Sequence, residues 1–81
     1  MNDNEIIERV KKVISDVLGV NTDKINLEDR FVEDLGAESV QSLELVAAFE
    51  EEFGIEMDEE KALEVKSVGK AVEFIKQYLT K

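Results

Sequence analysis

The chain has 81 residues, a formal net charge of −10, and neither cysteine nor histidine. That length supports one modest core and a single domain over 1–81. The missing Cys and His remove disulfides, thiol nucleophiles, the commonest general base and the usual zinc ligands, so neither a catalytic nor a metal site is expected. The acidic balance disfavours nucleic acid and anionic lipid.

The first segment, about 4–18, places Ile6, Ile7, Val10, Val13, Ile14, Val17 and Leu18 at the i, i+3, i+4, i+7 spacing of an amphipathic helix. Asn2 or Asp3 can cap it, and Gly19 suits the position just past its end. The N-terminus has no basic or apolar signal-like region, and no apolar run nears the roughly 20 residues of a membrane span. The expectation is a cytoplasmic monomer with no membrane insertion.

Residues 20–38 keep no period. Ile25, Leu27, Phe31, Val32 and Leu35 are apolar anchors in a long loop, with room for a short helical turn near Leu27–Asp29. Loops this long in small domains are commonly functional. This one delivers Gly36, Ala37, Glu38 and Ser39 to the start of a second helix, about 39–53. Leu43, Val46, Ala47, Glu50 and Phe53 are expected on its buried side, with Val40, Leu45 and Phe49 widening the arc. Gly54 closes it. Glu50, Glu51 and Glu52 sit at its negative end, a mildly unfavourable place that suits a partner-binding role. Asp58 caps a short helix through Ala62. Ser67 caps the last one, about 68–79, whose apolar face is Val68, Ala71, Val72, Ile75 and Leu79. Gly69 weakens its first turn, while Lys76 and Lys81 suit its C-terminal end. The result is an all-α bundle of three main helices and one short helix, with a long first loop.

The charge is uneven. Residues 33–64 hold 12 acids and one base, Lys61, whereas 65–81 hold one acid and four bases. The acids surround Ser39, whose hydroxyl lies at a helix start with no neighbouring base to activate it. Such a hydroxyl is a poor nucleophile and a good attachment point for a phosphate-linked group, which a helix N-terminus favours.

The run Leu35-Gly36-Ala37-Glu38-Ser39-Val40, then Leu43-Glu44-Leu45-Val46 and Glu50-Glu51-Glu52-Phe53-Gly54, resembles the acyl carrier protein family over nearly the whole chain. The resemblance implies an acyl-carrier-like bundle and a non-catalytic carrier. It implies 4′-phosphopantetheine, taken from coenzyme A by a phosphopantetheinyl transferase, on Ser39. It implies acyl cargo held as thioesters and delivered to enzymes of fatty-acid or related polyketide and lipid biosynthesis. Basic enzyme surfaces would meet Glu38, Val40, Glu44, Glu51, Glu52 and Glu56, extended by Glu33 and Asp34. Leu43, Val46, Met57, Ala62, Leu63, Val65 and Phe74, with Val40, would line the acyl cleft. Glu38, Val40 and Gln41 depart from the family's Asp-Ser-Leu pattern and its following acid, which points to a specialised member. Ser42, in the helix body, is a second and weaker hydroxyl. Two rival readings are an aminoacyl or peptidyl carrier and an unmodified acidic interaction module. An EF-hand is disfavoured, because no Asp-x-Asp-x-Asp-Gly loop with a trailing Glu occurs.

Overall fold

The computed structural model describes residues 2–79; the expectation for Lys81 lies outside them. Four α-helices follow in order: α1 Asp3–Leu18, α2 Ser39–Phe53, α3 Glu59–Ala62 and α4 Val68–Leu79. No strand occurs among the described residues; the one sheet-like pairing is an isolated antiparallel bridge between Arg30 and Ser67.

Local chemistry sets the helix ends. Asn2 Oδ1 accepts from the Glu5 N–H at 2.8 Å and starts α1. Gly19 and Gly54 end α1 and α2 in the left-handed region, at φ 73° and 64°. Asp58 Oδ1 accepts from the Lys61 N–H at 3.2 Å at the head of α3. At the head of α4, Ser67 Oγ accepts from the Lys70 N–H at 3.3 Å.

Helix α1 packs against both α2 and α4. Its buried stripe is Ile6, Val10, Val13 and Ile14, and α4 contributes Val68, Ala71, Val72 and Ile75. Each fully buried large aliphatic contributes roughly 1.5–3 kcal/mol before chain entropy is subtracted.

On α2 the buried residues are Leu45, Phe49 and Phe53. Phe53 is buried as expected and Val46 is half-buried against the core, but Leu43 and Ala47 are exposed, and Leu45 and Phe49, expected only to widen the arc, form the centre of the buried face. Apolar residues occur nearly all round α2, so its period alone does not choose a side. The i, i+4, i+8 ridge of Leu45, Phe49 and Phe53 wins because it carries the largest side chains toward α1. Leu43 lies two residues, about 200°, from Leu45 and is therefore turned outward. Leu43 is 48 % exposed and Val40 66 %.

The long loop is tied to the head of α4 by backbone bonds. The Val68 N–H donates to Asp29 O at 3.0 Å and the Gly69 N–H to Leu27 O at 2.8 Å, while the Phe31 N–H donates to Lys66 O at 3.0 Å. The loop carbonyls thus satisfy the first free donors of α4. Ile25, Phe31 and Ala37 are buried, Leu35 is half-buried, and Leu27 and Val32 are exposed. So two of the five expected anchors are surface residues, and Ala37 is an anchor in their place. The turn near Leu27 is present, closed by the Asp29 N–H on Asn26 O at 3.0 Å. A 3₁₀ turn at Thr22–Lys24 precedes it, capped by Asn21 Oδ1 on the Asp23 N–H.

Candidate functional site

Ala37, buried at 4 % exposure, fixes the chain two residues before Ser39. Its N–H donates to Phe31 O at 2.8 Å, so the buried part of the loop directly sets where α2 begins. Glu38 is the N-cap residue, with extended backbone, and Ser39 is the first helical residue. The Glu38 N–H donates to Gln41 Oε1 at 2.9 Å. Gln41, a departure from the family pattern, therefore performs the reaching-back half of a capping box. Glu38 rather than Ser39 holds the N-cap position.

Ser39 is exposed, and among the described residues its hydroxyl makes no hydrogen bond. It stands at a helix head where first-turn N–H groups and the macrodipole favour an anionic group. Ser42, one turn further along, is half-buried and lines a cavity of about 60 Å³.

Six of the eight cleft residues expected from the sequence line that cavity: Val46, Met57, Ala62, Leu63, Val65 and Phe74. Leu43 does not, and neither does Val40, because both point outward from α2. Four lining residues were not expected at the cavity: Phe31 and Val32, read only as loop anchors, Glu33, read only as a surface acid, and Lys66. They come from the loop and from the residue before Ser67, brought in by the Phe31–Lys66 backbone bond. Ser42, the weaker hydroxyl of the sequence reading, follows Ser39 by three residues and so shares its helix face beside the cavity.

The acids divide into two groups. Glu38, Glu44, Glu51 and Glu56 are exposed. Glu52 is not a free surface acid. Its Oε2 accepts from Arg9 Nε at 2.7 Å, and its carbonyl accepts from Arg9 Nη2 at 2.8 Å. Glu50, near the same helix end, accepts from the Met57 N–H at 2.8 Å through Oε2. Both therefore brace the fold, which offsets the poor placement of acids at that end. Glu33 and Asp34 are exposed, and both pair with Arg30, at 3.7 and 3.0 Å. The side-chain hydrogen bond from Arg30, aided by its backbone N–H, holds the Asp34 carboxyl below its ordinary range.

The model of the phosphopantetheine attachment site family matches residues 8–75. The chain belongs to that family. It is also 47 % identical over 77 residues to an acyl carrier protein of Akkermansia muciniphila, covering 95 % of this chain and 96 % of that one. Membership in the attachment-site family means a covalently held 4′-phosphopantetheine and a carrier rather than a catalyst. The residues present fit such a group: a free exposed hydroxyl, an N-terminal helix turn beside it, and an apolar cavity one turn away. Among the described residues no helix is long and apolar enough to cross a membrane.

Proposed function

We propose that this single-domain protein carries acyl groups on 4′-phosphopantetheine attached at Ser39, for enzymes of fatty-acid or related acyl biosynthesis. The observation that carries the reading is the free Ser39 hydroxyl at the head of α2, one turn above a cavity that Ser42 and Val46 line. When bound, the group supplies a thiol that holds the cargo as a thioester. Around it, the first turn of α2 stabilises the phosphodiester charge, Ala37 and Gly36 fix the attachment point, and Val46, Met57 and Phe74 exclude water from the cargo. Ser42 is less suited to modification, because its hydroxyl is half-buried against the cavity.

Partner enzymes would approach the outer face of α2. Val40, Leu43, Glu44, Ala47 and Glu51 are all exposed and follow i, i+3, i+4, i+7, i+11 spacing. Apolar residues thus alternate with acids on one strip, which suits a basic surface with an apolar centre. Glu38 and Glu56 extend the strip at its two ends.

The test is expression with a phosphopantetheinyl transferase and coenzyme A, read by intact mass. The wild-type protein gains the arm and Ser39→Ala does not. A wild-type chain that stays unmodified would leave the acidic interaction module as the better reading. For the partner face, Glu44→Lys should slow association with a cognate enzyme and flatten its salt dependence. An unchanged association rate removes Glu44 from that face.

A further inference from the structure

The Ser39 side chain makes no hydrogen bond among the described residues, so its neighbours decide where the hydroxyl stands. On the loop side, the Ala37 N–H is tied to Phe31 O at 2.8 Å. Glu38 lies between that anchor and the helix, and both of its backbone groups are engaged. Its carbonyl accepts from the Ser42 N–H at 3.0 Å, the bond that opens the helical ladder. Its N–H donates to Gln41 Oε1 at 2.9 Å. Any sequence that folds as a helix here makes the first bond. The second depends on which side chain occupies position 41.

Gln41 is the third residue of α2 and is half-buried. Its side chain is long enough to turn back over the first turn and reach the N-cap backbone, a reach that Glu and Gln share at this position. Its amide is neutral, so the bond is made without adding an acid to a first turn that holds none. Without the bond, the Glu38 N–H has only water as a partner, and the N-cap residue turns more freely about its backbone dihedrals. Helix ends fray by such losses. Ser39 follows directly, so a rotation at Glu38 displaces its hydroxyl.

Resting on the carrier reading above, we propose that Gln41 is a positioning residue for attachment of the arm. By holding the Glu38 N–H, it fixes where the Ser39 hydroxyl stands for attack on the phosphorus of coenzyme A. In the transfer the Ser39 Oγ–phosphorus bond forms and a phosphorus–oxygen bond of the pyrophosphate breaks. Adenosine 3′,5′-bisphosphate leaves with that electron pair, and the hydroxyl proton passes to a base of the transferase. Gln41 touches none of these atoms. It acts through Glu38, and a small displacement of a reacting atom lowers the rate steeply.

The test compares the full chain with Gln41→Met and Gln41→Glu, using a purified phosphopantetheinyl transferase and coenzyme A. Methionine keeps the length and the helix propensity but loses the oxygen, whereas glutamate keeps the oxygen and adds charge. Gln41→Met should load with a kcat about threefold or more below wild type. Gln41→Glu should recover that kcat, while its added charge acts on association and so on KM. Amide exchange of the unloaded proteins, followed by NMR, should show the Glu38 N–H protected in wild type and in Gln41→Glu, and unprotected in Gln41→Met. A wild-type kcat in Gln41→Met overturns the proposal, and so does an unprotected Glu38 N–H in the wild-type protein. A Gln41→Glu protein as slow as Gln41→Met overturns it too, because the amide would then serve by touching the transferase. A wild-type chain that never gains the arm defeats the carrier reading itself, whatever the exchange rates are.

Discussion

The Gly69 N–H donates to Leu27 O at 2.8 Å, and a Cβ built on Gly69 would stand 3.1 Å from that same oxygen. Gly to Ala in a helix usually stabilises by roughly 1 kcal/mol. Here the oxygen cannot retreat without lengthening the bond that ties the loop to α4. Gly69→Ala should therefore bring no gain and cost up to about 1 kcal/mol, and Gly69→Val should cost about 1–3 kcal/mol. Urea unfolding measures both. An alanine variant stabilised by the usual amount would show that the loop yields freely.

Arg9 joins α1 to the end of α2. It hydrogen-bonds the Glu52 carboxylate and the Glu52 carbonyl, and its guanidinium lies 5.1 Å from the Phe53 ring centroid. The carbonyl is one of the free acceptors of a helix end. Arg9→Ala should cost about 1–2 kcal/mol, a fall of several degrees in Tm for a domain of this size. Arg9→Lys should recover only part, because a single ammonium lacks the planar fork. Full recovery by lysine would reduce the contact to simple charge.

Ionic strength should change stability. The acids Glu33, Glu38, Glu44, Glu51, Glu56, Asp58, Glu59, Glu60 and Glu64 are all exposed. At about 0.01 M salt the screening length is about 30 Å, and at 0.15 M it is about 8 Å. The molecule measures 32 × 26 × 19 Å, so at low salt every acid acts on every other. Raising the salt should lift Tm by a few degrees, and divalent cations should do so at lower concentration. A Tm that stays constant across that range contradicts a repulsive surface.

The Arg30–Asp34 pair should leave a signature in acid. Hydrogen bonding to Arg30 lowers the Asp34 pKa in the folded chain. A group depressed on folding stabilises fully above its unfolded pKa and loses that contribution as pH falls through the folded value. The stability difference between wild type and Asp34→Asn should thus be constant near neutrality and shrink only below the ordinary carboxylate range. Titration of the Asp34 carboxyl by NMR gives the same answer directly. An ordinary Asp midpoint there would mean that the bond to Arg30 does not persist in solution.

The sequence by itself determined the helices and the place of the serine. α2 runs from Ser39 to Phe53 and α4 from Val68 to Leu79, as their caps and periods predict, because capping and periodicity act over only three or four residues. Six of the eight expected cleft residues meet at one cavity for a related reason: each lies on a predictable helix face or beside a predictable turn. Tertiary structure alone decided what depends on distant parts of the chain. Arg9 takes Glu52 out of the free acidic surface across 43 positions. Leu27 closes over Gly69, so a residue that weakens a helix turn on paper is required there in space. α2, apolar nearly all round, takes its orientation from the packing of Leu45, Phe49 and Phe53, which turns Leu43 away from the cavity and onto the outside. Local sequence specifies which residues form a helix; the face that is buried depends on which neighbours it meets.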